Sequence, residues 1–225
     1  MFTPIWIVSV ALILFSFLGI VLSALLFTKP VDEQKVSFMR IFPFEAARSE
    51  GKNAKYYNFS LYLFSGLCFS PIILLIKEQS RLSKLQPLSI LIACILGLAA
   101  LCFVFVNVFD VTHVKPHLSL FIIFASLTIL SSTLIFTRGL TAYTIFMNHG
   151  KVEYLFLVTE ILAGLSTLFS LMIVLNPKLS SWAKLDYEDG NYVRPKKFPL
   201  AYSEWGLLLA LFINEIIYFI QLLVK

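Results

Sequence analysis

Leu88-Ser-Ile-Leu-Ile-Ala-Cys-Ile-Leu-Gly-Leu-Ala-Ala-Leu-Cys-Phe-Val-Phe-Val-Asn-Val-Phe109 decides the fold class. It carries no charge and is long enough to cross a hydrocarbon layer, which takes about 20 helical residues. Five further apolar blocks accompany it, at 5–27, 58–76, 117–137, 153–175 and 204–224. The blocks are continuous rather than alternating, which argues against barrel strands. In lipid each segment must satisfy its own backbone groups, so helices follow. Composition agrees: 59% of the residues are apolar and 14% charged, far from the soluble range. The expectation is an all-α polytopic transmembrane helix bundle of six spans, a single integral membrane domain over 1–225. The first block lacks a basic leader and exceeds a signal core in length, so it is expected to stay as a helix.

The joining segments narrow the function. Loops 28–57 and 176–203 are long and polar or interfacial, whereas 110–116 is a tight link. The net charge of +5 comes from basic residues mixed with acids in the loops. That pattern suits solvation and anionic head groups rather than nucleic acid. Lys and Arg number twelve on the face of loops one, three and five and six on the other. The first face also has far more loop, so the bias leaves orientation open. Val36-Ser-Phe-Met-Arg-Ile-Phe-Pro-Phe44 mixes large apolar residues with Arg40 and is expected at the interface or folded over the bundle mouth. Ser9, Ser16 and Ser23, and Ser89, Ala93, Gly97 and Ala100, recur at helical spacing as seams for close helix approach. Cys68, Cys94 and Cys102 fall inside blocks and read as small apolar packers. No internal repeat or broken helix is expected, which speaks against the inverted-repeat build of many transporters.

Two constellations could carry chemistry. Asp110, His113 and His117 sit in or at the end of the short link, at the mouth of the bundle. Glu45, Arg48, Ser49, Glu50 and Asn58 belong to the same face. Imidazoles beside a carboxylate can relay protons or bind zinc, but two His and one Asp lack a third firm ligand. Pro116 disfavours helix at Lys115, so the two imidazoles are expected to diverge. The candidate ligand-binding set is Ser49, Glu50, Asn58, Asp110, His113 and His117, with no metal or other cofactor assigned. The second constellation is the pair of intramembrane acids Glu160 and Glu215. A charged carboxylate at mid-bilayer costs about 2.5–3.5 kcal/mol on insertion scales, so each must be protonated, hydrogen-bonded or facing a wet interior. Glu215 shares a helical face with Glu204, Leu208, Leu211 and Tyr218. Counting residues puts Glu160 and Glu215 at similar depth, where they could meet. No nucleophile elbow and no phosphate-cradling loop appear, and no catalytic residue is assigned.

Arg48-Ser-Glu-Gly-Lys-Asn-Ala-Lys-Tyr-Tyr-Asn-Phe-Ser-Leu-Tyr-Leu-Phe-Ser-Gly66 resembles the first-loop signature of an uncharacterised family of six-span prokaryotic membrane proteins. Val108-Phe-Asp-Val-Thr-His-Val-Lys-Pro-His-Leu-Ser-Leu-Phe-Ile-Ile-Phe124 is similar to its second signature, a short polar link with a His that opens span four. The layout also resembles the DRAM/Frag group of eukaryotic six-span proteins. The matching positions are Ser49, Glu50 (where the family has Asp), Gly51, Asn58, Gly66 and one of His113 or His117. The resemblance implies a six-helix bundle whose loop-one and loop-three polar residues pair at one mouth. It implies no settled reaction, only lipid-related or regulatory roles.

The expected function is therefore non-enzymatic: a bundle that binds a membrane lipid or a partner membrane protein, without nucleic acid. One alternative is a small proton-coupled transporter using Glu160 and Glu215. Another is a metal-dependent membrane hydrolase using Asp110, His113 and His117.

Overall fold

The computed structural model describes residues 4–26, 38, 42–48, 52–77, 85–109, 114–148, 154–177, 179 and 199–223. In chain order the helices are α1 (Pro4–Leu26), α2 (Pro43–Arg48), α3 (Lys52–Leu67), α4 (Ser70–Lys77), α5 (Gln86–Val108), α6 (Val114–Asn148), α7 (Tyr154–Val174) and α8 (Pro199–Leu223). Prolines mark six of these starts: Pro4, Pro43, Pro71, Pro87, Pro116 and Pro199 all fall in a first turn. A first-turn proline loses nothing, because its missing N–H would have no intrahelical acceptor.

That rule corrects two expected boundaries. Pro116 does not exclude helix; it sits inside the first turn of α6, which begins at Val114. Pro199 opens α8 five residues before the expected start, which places Glu204 well inside a helix. At the other end α6 runs on to Asn148, so most of the expected loop 138–152 is helical. With 35 residues, α6 is about 52 Å long.

Among the described residues, α1, α5, α6, α7 and α8 are long and apolar enough to cross a membrane. The expected block 58–76 is not one continuous helix. It divides into α3 and α4 at Cys68 and Phe69. Pro71 is the cause, since it offers no N–H to the carbonyl of Leu67 four residues back. Neighbouring bonds shift with it. The Phe69 N–H reaches Gly66 O at 3.2 Å, three residues back, and Ile72 N–H reaches Phe69 O at 3.1 Å. The carbonyls of Ser65, Leu67 and Cys68 thereby lose their usual donors.

The assembled helices are apolar outside and polar within. Ile5, Ile7, Phe15 and Leu18 on α1 and Tyr154, Ile161, Leu168 and Met172 on α7 are more than half exposed. Meanwhile Asn107, His117, Thr128, Ser131, Arg138, Glu204, Asn214, Glu215 and Gln221 are buried. Water would select the reverse distribution, and lipid accounts for this one. Five apolar helices long enough to cross a membrane, with this distribution, fit an integral, multi-pass α-helical membrane protein. Its centre is α8, which touches α1, α2, α5, α6 and α7. The serines of α1 and the small residues Ser89, Ala93, Gly97 and Ala100 of α5 all face inward.

Gly97 and Gly66 respond differently to a methyl group. A Cβ on Gly97 would run into the ring of Phe69 at the helix break, whereas one on Gly66 would meet nothing within 4 Å. Gly97→Ala should therefore destabilise by about 1–3 kcal/mol through overpacking, and Gly66→Ala should not. Thermal unfolding of the two variants in detergent measures the difference; equal melting temperatures would contradict the close packing of Phe69 on α5.

Candidate functional site

Each end of the bundle holds a polar cluster, and α8 contributes to both. At the first end the C-terminus of α5 meets the start of α6. His117 is fully buried there. Its Nδ1 lies 2.7 Å from Phe109 O and its Nε2 lies 2.8 Å from Glu204 Oε1. A carbonyl can only accept, so Nδ1 carries a hydrogen. One further proton lies between Nε2 and Glu204, and the pair is either imidazolium with carboxylate or imidazole with carboxylic acid. Both forms satisfy the contact, so the shared proton can sit on either partner without loss of the geometry. Glu204 Oε2 is sealed and has no partner among the described residues.

Around this pair, Tyr57 Oη donates to Asn107 Oδ1 at 3.2 Å, and Asn107 Nδ2 donates to Phe103 O at 2.7 Å. The short helix α2 closes the mouth. The Phe42 N–H, just ahead of α2, donates to Glu45 Oε2 at 2.8 Å, one half of a capping box. The Phe42 ring then meets the His117 ring edge-on at 6.3 Å. Asn58 Nδ2 donates to Ala47 O at 2.9 Å and ties α3 to α2.

The expected set is thus placed in part. Asn58 and His117 share this mouth, while Ser49, Glu50, Asp110 and His113 lie outside the described residues. The partner of His117 is Glu204, a residue the sequence reading left unassigned. The signal for it was present: Glu204 shares a helical face with Glu215, and Pro199 places it a turn and a half inside α8. Among the described residues no three His, Cys, Asp or Glu side chains group so as to hold a metal ion. A metal at His117 would have to displace Glu204 or Phe109 O.

The second end is built around Arg138. Expected as a loop cation, it lies instead inside α6 and is buried. Its Nε donates to Ser89 Oγ at 2.8 Å and its Nη1 to Gln221 Oε1 at 3.2 Å. The guanidinium carbon stands 5.9 Å from the centre of the Tyr218 ring, whose hydroxyl donates to Ser89 O. Gln221 Nε2 turns to Ile135 O at 3.3 Å and Thr159 Oγ1 at 3.4 Å. A Cβ on Gly139 would lie 2.5 Å from Gln221 Nε2 and 2.9 Å from Glu160 Cγ, so that glycine is what admits both side chains to α6.

Between the ends, Asn214 accepts from Ser166 Oγ at 2.6 Å and donates to Thr128 O and Ser131 Oγ, each at 3.2 Å. The Thr159–Gln221 and Ser166–Asn214 contacts define the antiparallel register of α7 and α8. In that register Glu160 is level with Ile220 and Glu215 with Leu165, an offset of about 8 Å along the axis. Glu160 also lies against Gly139 of α6. The expected meeting of Glu160 and Glu215 does not occur, because the Thr159–Gln221 and Ser166–Asn214 contacts hold α7 and α8 in a register that sets the two acids about a turn and a half apart.

Comparison of the chain with protein-family models, curated proteins and solved structures returns no match.

Removing one partner of the buried mouth pair should cost more than removing both. Glu204→Leu takes the carboxyl away from buried His117 Nε2, at about 1–3 kcal/mol, and His117→Phe takes the imidazole away from Glu204 Oε1. The double variant removes both unpaired groups and should melt above either single one. A double variant that sums the two losses would show that the pair is not coupled.

Proposed function

We propose that the chain is a six-span membrane protein that binds a single lipid without catalysing its turnover. In this reading α3 and α4 together form the second span. The 26 residues from Lys52 to Lys77 cover about 39 Å as helix, enough for the hydrocarbon layer despite the break. Helical spans tolerate such breaks where neighbouring helices enclose them.

The observation that carries the lipid reading is a cleft between α1 and α8. It has a volume of about 340 Å³ and is lined by Phe17, Val21, Phe38, Trp205, Gly206, Leu208 and Leu209. Every lining residue is apolar, which suits an acyl chain. Its upper wall is Trp205, the residue after Glu204, with the Phe38 ring 4.8 Å away. Aromatic residues of this kind are favoured at head-group depth. An acyl chain in the cleft would therefore bring its head group to the end of the bundle where α2 closes over His117 and Glu204. Pockets that combine an apolar wall with a few convergent polar groups are the usual form of a small-ligand site.

Native mass spectrometry of the detergent-purified protein tests this. The expected spectrum carries one discrete lipid mass per chain. Val21→Trp and Leu209→Trp should fill the cleft and lower the occupied fraction several-fold, while His117→Ala should alter which head-group class is retained. A chain that emerges without lipid, or that retains lipid equally in both tryptophan variants, rules the reading out.

A further inference from the structure

Arg138 is 3% exposed, and its charge is fixed, because a guanidinium does not give up its proton in a protein. Two of its N–H groups are used, by Ser89 Oγ at 2.8 Å and Gln221 Oε1 at 3.2 Å. Both acceptors are neutral. No carboxylate among the described residues stands within ion-pair distance of it. Glu160 approaches the next residue, Gly139, without pairing with Arg138, and a carboxyl can be neutralised by a proton. The charge left unbalanced is that of Arg138, and an enclosed cation in lipid needs an anion.

The rest of the guanidinium shows where an anion can reach it. Nη2 has no hydrogen-bond partner among the described residues, yet it is not one of the sealed groups that lack a partner. That corner of the side chain therefore meets the surface. Ser89, Gln221 and the Tyr218 ring hold the guanidinium from α5 and α8 and fix the direction of its open corner. The depth also suits a phosphate. Ser89 lies three residues after the start of α5 and Gln221 two before the end of α8, so the guanidinium is about 5 Å from that end of the helices. In the chain, the segments next to these helix ends carry Lys77, Arg81, Lys84, Lys151 and Lys225 against Glu78 and Glu153. Such a positive excess raises the local concentration of anions.

We propose that Arg138 binds a phosphate group at this end of the bundle, carried by a membrane phospholipid or by a free phosphate compound. A guanidinium N–H to a phosphate oxygen is a charge-assisted hydrogen bond, and the same contact balances the buried cation. From Trp205 to Gln221 along α8 is about 24 Å, so the site is remote from the apolar cleft and does not rest on the lipid reading.

Thermal unfolding of the full-length protein in dodecyl maltoside tests it, at constant pH and ionic strength. The probes are dioleoyl phosphatidic acid, dioleoylglycerol, which has the same chains and no phosphate, and inorganic phosphate in place of chloride. Phosphatidic acid should raise Tm saturably. In Val21→Trp or Leu209→Trp, where the cleft is filled, it should still do so and dioleoylglycerol should not. A matching rise with inorganic phosphate assigns the site to free phosphate compounds; a rise with phosphatidic acid alone assigns it to lipid. Arg138→Gln should raise the half-saturating concentration about tenfold or more, as loss of a charged hydrogen bond does. Arg138→Lys keeps the charge without the fork and should fall between, while Glu160→Gln should respond as the unaltered protein does. The site is overturned if neither phosphate probe raises Tm, or if the response is undiminished in Arg138→Gln. It is also overturned if Glu160→Gln lowers Tm and Arg138→Gln/Glu160→Gln restores it, because Glu160 would then be the counter-charge.

Discussion

Everything in this bundle depends on the side-chain hydrogen bonds that α8 makes to its neighbours. Lipid gives apolar helices no hydrophobic reason to associate, so packing and polar contacts must hold them. Along α8, Glu204 meets His117 of α6, Asn214 meets Ser166 of α7 and Ser131 of α6, Tyr218 meets the backbone of α5 at Ser89, and Gln221 meets Arg138 of α6. Each such bond contributes only about 0.6 kcal/mol on average in a membrane. Their larger effect is to fix rotation and register, since a slip of one residue would strand several buried polar groups together. Small residues and flat aromatic contacts then close the gaps, as where Phe17 of α1 stacks on Phe212 of α8 at 4.0 Å.

The same constraint explains why the sequence was readable in some respects and not in others. Block length and continuity reveal that 88–109 and 153–175 are spans, because lipid punishes any other backbone arrangement. Spacing reveals the inward face of α5 through Ser89, Ala93 and Gly97. Hydropathy cannot locate Arg138, because a charged residue lowers the local score whether it lies in a loop or is enclosed by Ser89, Gln221 and Tyr218. It cannot pair His117 with Glu204 either, since the two are 87 positions apart and only the packing of α6 on α8 brings them together. The proximity of Asp110 and His113 in sequence drew attention to the link, whereas the described partner of His117 comes from another helix.

The break between α3 and α4 was legible in principle. Gly66-Leu-Cys-Phe-Ser-Pro71 places a proline in the interior of an otherwise continuous apolar block. Such a proline either opens a helix or interrupts one, and the other first-turn prolines here all open one. Applying that regularity to Pro71 makes α4 a new helix rather than a continuation. The packing then becomes intelligible, because Phe69 at the break lies where Gly97 of α5 leaves room for its ring.

The two polar regions of α8 are also kept apart. Glu204 and Glu215 are eleven residues apart, about 16 Å along the axis, and between them α8 buries Leu207, Leu208 and Leu211. Phe64, Phe103 and Phe124 are buried in the same core cluster as these leucines, and the Phe103 and Phe124 rings stand 5.1 Å apart. Proton transfer between side chains needs hydrogen-bond distances or a bridging water, and three leucines supply no polar group to hold one. The mouth pair and the deep acid are therefore separate devices. The first locks α5, α6 and α8 around one shared proton beneath α2, and the second is enclosed further along α8 with no direct side-chain path between them.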